Sequence, residues 1–231
     1  MTATLLVPST TPSTTPATAP AAGAPGRWSR AGAYALVAGA ALNTAQAVLL
    51  RAVSSGDSAA AKLADVDAHP VVMLTMILSG LLGVVLLLVG FQHTARLVRP
   101  HAPRAARAGS VLTFLGTLGF LGMHAVMLVT YALAGSADRA AAVAVLEHLD
   151  RAPVLLVLVA PFLLGMFGGA AALTVGLFRT GGVPRWAPAC WALFLPLDLL
   201  AAGSGPVDPH WLFLAGAAGL DVAGRPAAGR R

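Results

Sequence analysis

The chain has 231 residues, 57% apolar and 10% charged, with mean hydropathy +0.79; a soluble domain carries roughly 45–50% apolar and about 25% charged residues, so a water-soluble globular protein is excluded. A single cysteine, Cys190, excludes a disulfide framework and a cysteine zinc site, which both need several thiols. The net charge of +6 comes from 14 Arg and one Lys, Lys62, standing between hydrophobic blocks where orientation signals belong, which excludes a nucleic-acid surface.

Residues 1–30 are rich in Thr, Pro and Ala, and residues 9–16 contain nothing but Ser, Thr and Pro. Such a tract has too little apolar surface to offset the entropy of ordering it, so a disordered tail is expected. Arg27 and Arg30 follow the tract instead of preceding it. A secretory signal needs its basic residues first, so the first span is expected to stay as an anchor.

Six apolar blocks follow, at 31–50, 71–91, 111–133, 154–178, 186–203 and a shorter 209–223. Most are near the roughly 20 residues that cross a hydrocarbon core as a helix. The expected fold is therefore all-α, a polytopic transmembrane bundle of about six spans over 31–223, with a basic tail at 224–231. The charges between the blocks test this drawing. One side collects eleven basic residues: Arg27, Arg30, Arg96, Arg99, Arg104, Arg107, Arg179, Arg185, Arg225, Arg230 and Arg231. The other has four, Arg51, Lys62, Arg139 and Arg151, with seven of the nine acids. The positive-inside rule then places both termini in the cytoplasm. Five crossings would put the terminal Arg cluster outside, against the rule. Heavy use of Ala, Gly, Pro and Arg with one Lys looks like the coding bias of a GC-rich bacterial genome, and the expected location is a bacterial inner membrane.

The two expected outer loops share a form. One runs from Ser55 to His69-Pro70 and the other from Gly135 to Ala152-Pro153, each with an Ala-rich stretch behind an Asp or Ser. Both read as short interfacial helices capped by Ser or Asp and stopped before proline. The spans match as well, with Gln46-Ala-Val-Leu-Leu before the first loop and His124-Ala-Val-Met-Leu before the second. This suggests a parallel two-span repeat, the alternative being chance likeness of Ala/Leu-rich helices.

Polar side chains inside a bilayer are costly and each asks for a reason; an Asp costs about 2.5–3.5 kcal/mol at a helix centre. Counting at 1.5 Å per residue places Asn43, Gln46, His124 and Asp198 roughly 3–8 Å to the outer side of their helix centres. If spans one, three and five pack together, Asp198 is a proton acceptor or counter-ion and His124 its partner, with Asn43 and Gln46 as amide donors to a ligand or water. The bland alternative is hydrogen bonding across helices for packing alone. Pro196, two residues before Asp198, lacks the amide that would bond a helix carbonyl and so opens the helix for polar contacts.

Metals and cofactors find less support. His69, His93, His101 and His148 sit at span ends or in loops, so no two face each other as haem axial ligands, and no cofactor is expected. Met73, Met76, Met123 and Met127, with His69 and His124, are weak candidates for Cu(I), against a reading as flexible core filler. Glu147, His148 and Asp150 read as a solvated loop, and the run Arg96, Arg99, Arg104, Arg107 as a stop-transfer signal that can touch anionic head groups. Gly116, Gly119 and Gly122, then Gly165, Gly168, Gly169, Ala172 and Gly176, form small-residue faces for packing within the chain or, as the alternative, for an oligomer. No phosphate loop, Gly-x-Ser-x-Gly turn or His-Glu-x-x-His is present.

With its Ala/Leu spans, Ala-His69-Pro70 loop end, Leu97-Val98-Arg99-Pro100 turn and Phe178-Arg179 to Val183-Pro184-Arg185-Trp186 junction, the chain resembles actinobacterial polytopic membrane proteins of unassigned activity. That resemblance covers about residues 30 to 200 and implies no catalytic residues. In size and span count the chain also looks like small membrane-bound terpene cyclases, which implies a membrane acid, here Asp198 with Glu147, and an aromatic-lined cavity. Aromatic residues are only 6% of the chain, few for stabilising a carbocation. The leading expectation is binding or transport of a small or lipid-like solute in an outer polar pocket. The alternatives are a membrane enzyme on a prenyl or lipid substrate, and a non-catalytic accessory subunit.

Overall fold

Prolines and caps set the helix boundaries. In the computed structural model, which describes residues 30–200 and 208–223, helix α1 (Arg30–Val53) is followed by α2 (Ala59–Ala68) and α3 (Pro70–Val98). Next come α4 (Pro103–Ala134), α5 (Arg139–Arg151), a 3-10 turn at Pro153–Leu155 and α6 (Leu156–Phe178). The series closes with α7 (Trp186–Leu200) and α8 (His210–Ala223). The tails, the last residues of the fifth expected span and the terminal Arg cluster lie outside the described residues.

No strand occurs among the described residues, and the all-helical expectation holds. Four segments, α1, α3, α4 and the 3-10 turn with α6, are long and apolar enough to cross a membrane. Helices α3 and α4, at 29 and 32 residues, outrun the apolar blocks expected there. The apolar block ends at Phe91, but Gln92, His93, Thr94 and Arg96 continue the helix until the turn before Pro103. Pro70 and Pro103 each open a helix at its first position, where a missing N–H costs nothing. Arg96 and Arg104 are consequently helical instead of lying in a loop.

Both loop helices form as expected. The Ser58 hydroxyl accepts the Ala61 N–H at 3.1 Å to cap α2, and the Asp138 carboxylate accepts that of Ala141 at 2.9 Å to cap α5. They pack on each other through Ala59, Leu63, Ala142 and Leu146. Lys62–Asp150 at 2.8 Å and Arg139–Asp67 at 2.9 Å tie them further.

The apolar helices form a ring in the order α1, α3, α4, α6, α7, α8 and back to α1. Glycine decides two of these contacts. A Cβ on Gly165 would meet the backbone of Gly116 and Leu112, and one on Gly119 the backbone of Phe162. On the other pair Gly39 faces the Leu87 backbone and Gly90 that of Leu36. The face carrying Gly116, Gly119 and Gly122 is thus consumed inside the chain, against α6. Gly176 packs on Val98 of α3, and Gly168 meets a single methyl of Leu112.

Candidate functional site

Small residues let the helices approach, but the ring keeps a space of about 220 Å³ within it, lined by side chains from all six of its helices. Asn43, Gln46, Ala47 and Leu50 face it from α1 at helical spacing. Phe162, Met166, Phe167 and Ala170 do so from α6, Phe194, Leu195 and Asp198 from α7, and His210 with Phe213 from α8. Leu87 and Phe91 of α3 and Phe120 of α4 complete it. Six of the eight phenylalanines therefore line one cavity. Composition had suggested few rings; the fold concentrates them. Phe120 stacks on Phe162 with centroids 4.9 Å apart, and Phe194 meets Phe213 in a tilted pair at 5.2 Å.

The four polar candidates divide into separate groups. Gln46 Nε2 lies 2.9 Å from His124 Nε2. His124 Nδ1 lies 2.9 Å from the Phe120 carbonyl, which can only accept, so Nδ1 carries the proton and Nε2 receives an N–H from Gln46. His124 is fully buried and does not line the cavity; it positions Gln46 from behind. The expected His124–Asp198 partnership is corrected here, because α6 stands between α4 and α7 in the ring. Gln46 Oε1 is buried with no hydrogen-bond partner among the described residues. It lies against Gly80 of α3, the position where a side chain would overlap both Gln46 and His124.

Asp198 instead meets His210, a residue the sequence reading passed over, at 3.5 Å between Oδ1 and Nδ1. The same Nδ1 donates to Asp208 Oδ1 at 2.8 Å, and that oxygen also accepts the His210 backbone N–H at 2.9 Å. Arg51 reaches the other Asp208 oxygen at 3.2 Å. The Thr44 hydroxyl donates to the His210 carbonyl at 3.2 Å. Arg51 and Asp208 had been read only as loop charges. The available signal was Asp208-Pro209-His210 at a helix start, where an Asp caps and a proline fits. Asn43 lines the cavity, and its amide makes no hydrogen bond to a described side chain or backbone group.

Other candidates fall outside this site. Met73, Met76 and Met127 pack with Val66 and Ile77 as core, while Met123 is half-buried elsewhere. Both His124 nitrogens are engaged in hydrogen bonds, and His69 is exposed just before α3. No group of three or more His, Cys, Asp or Glu able to hold a metal occurs among the described residues. Glu147 is a surface partner of Arg151 at 3.3 Å, away from Asp198 and the cavity.

Substituting Gly80 with alanine is expected to break the Gln46–His124 pair, at a cost of about 1–3 kcal/mol for overpacking a tight site. Thermal unfolding of the purified protein reads this, with Gly181→Ala, where a Cβ meets open space, as the silent control.

The described residues define an all-helical fold with four helices long and apolar enough to cross a membrane, and a cavity with amide, carboxylate and imidazole groups in its wall. No protein family, curated protein or solved structure matches the chain.

Proposed function

We propose that the protein is a six-span inner-membrane protein that binds a small or lipid-like solute in this cavity, in a step of transport or capture. The observation that carries the reading is the cavity itself, lined from six helices and holding Asn43, Gln46, Asp198 and His210 in an otherwise apolar, largely aromatic wall. Such walls with a few placed polar groups are the usual form of a small-molecule site.

Six crossings are supported by where α8 starts. Arg51 near the end of α1 pairs with Asp208 just before α8, so the α7–α8 hairpin reaches the level at which the long α1 ends. Helices of 15 and 14 residues rise only about 22 Å, less than the roughly 30 Å core, and local thinning would accommodate them. Orientation is supported by charge pairing. All four basic residues at the end bearing α2 and α5 are in ion pairs, whereas Arg96, Arg99, Arg104, Arg107, Arg179 and Arg185 pair with no described acid. Free cations belong on the cytoplasmic face. The repeat is supported by the Gln46–His124 bond, which joins the matched positions of the two proposed units.

A second reading, a membrane enzyme on a prenyl substrate, is favoured by Asp198 standing among phenylalanine faces. Native mass spectrometry of the protein in mild detergent, beside His124→Ala and Asp198→Asn, tests the first. The expected result is a small-molecule adduct in the parent and its loss in both variants. No adduct in any sample overturns the reading in favour of an accessory subunit, and an adduct smaller or larger than an added prenyl substrate by a reaction's mass favours the enzyme.

A further inference from the structure

We propose that the cavity takes a small organic ammonium ion with an apolar body, with Asp198 as its counter-ion and the phenylalanine faces around it. The proposal rests on the pocket reading above and names the class of ligand.

The charge arrangement carries it furthest. Among the residues lining the cavity there is one carboxylate, Asp198, and no Lys or Arg. The guanidinium in the neighbouring network, Arg51, contacts Asp208 at 3.2 Å. The His210 Nδ1 proton goes to Asp208 too, at 2.8 Å against 3.5 Å to Asp198. Asp208 thus takes the Arg51 guanidinium and the shorter His210 contact, and among the described residues Asp198 keeps only the 3.5 Å approach of the same His210 nitrogen. A carboxylate so placed is costly until a cation or a proton joins it.

The rest of the wall selects the form of that cation. Aromatic faces carry negative quadrupoles and attract ammonium groups, and six phenylalanines surround the space. Asn43, on the same cavity, offers an amide carbonyl with no hydrogen-bond partner among the described residues to an ammonium or hydroxyl hydrogen. An anion is repelled by Asp198. A neutral alcohol satisfies Asn43 but leaves the carboxylate uncompensated. The space of about 220 Å³ holds a short alkyl or single-ring body.

A proton competes for the same carboxylate, so binding weakens in acid. The titratable or charged groups facing Asp198 are His210 and Asp208 at the start of α8 and Arg51 of α1; the lining side chains of α1, α3, α4 and α6 are uncharged.

The test uses the full chain in lipid nanodiscs, titrated calorimetrically with n-hexylammonium, n-hexanol and hexanoate, with empty nanodiscs subtracted. Hexylammonium is expected to bind on the order of tenfold tighter than hexanol, with no heat from hexanoate. Acid should weaken the ammonium and spare the alcohol. Asp198→Asn should bring the ammonium down to the level of hexanol while hexanol binding stays, which shows the cavity intact. If hexanol binds as tightly as hexylammonium, or the ammonium ignores Asp198→Asn, the ammonium assignment is overturned and the pocket reading stands. If no probe binds, both are overturned.

Discussion

Gly165→Val should lower the stability of the purified protein by about 3 kcal/mol, the upper part of the range for overpacking a tight contact. A Cβ built at residue 165 stands 2.5 Å from Gly116 Cα and 2.6 Å from the Leu112 carbonyl oxygen. Both neighbours are backbone of α4, so no side chain can turn aside, and the helices must separate along the contact. In a bilayer that separation is not recovered by hydrophobic force, because lipid is as apolar as the helix surface. Gly168→Val, one turn away, is the control. Its Cβ meets only the Leu112 methyl, at 3.5 Å, and its apparent melting temperature should move little. Equal losses in the two variants would mean that helix propensity, and not the α4–α6 contact, sets the cost.

Asp208→Ala is expected to loosen α8 from the ring, with a loss of about 2–3 kcal/mol. Its carboxylate caps α8 through the His210 N–H, accepts the His210 imidazole proton and meets Arg51. A cap is worth about 1 kcal/mol, and breaking a buried ion pair costs about 3–5 kcal/mol. The second figure is cut here because Arg51 is 29% exposed and can turn to water. Asp208→Asn keeps a capping oxygen and should recover roughly the cap's share. Amide hydrogen exchange locates the effect: faster exchange is expected in α8, with α3 to α6 unchanged. Uniform acceleration would contradict a local role for Asp208.

Why these features differ in legibility follows from what a linear pattern encodes. The apolar blocks, the capped loop helices and their prolines are local, and Ser58, Asp138, Pro70 and Pro153 act where the sequence places them. Depth along a helix axis is also local, so Gln46 and His124 were rightly brought to one level. Rotation about the axis and order around the ring are not local. Glycine contacts such as Gly165 on Gly116 set them, and they interpose α6 between His124 and Asp198. His210 escaped because it lies in the first turn of a short helix, next to an Asp that looked like a loop charge. An aromatic share of 6% averages over the chain, whereas the rings at 91, 120, 162, 167, 194 and 213 meet only when five helices close the ring.

The account stands on α7 and α8 crossing the membrane as walls of the cavity. Labelling of intact cells with an impermeant maleimide tests this, in a Cys190→Ser background carrying Ser204→Cys, Ser136→Cys or Gly181→Cys. Ser136 lies between α4 and α5 and Gly181 between α6 and α7, both exposed. The prediction is that Ser204→Cys and Ser136→Cys label from outside, and Gly181→Cys only after permeabilisation. If Ser204→Cys labels only with Gly181→Cys, the last two helices do not cross and the six-span cavity is wrong.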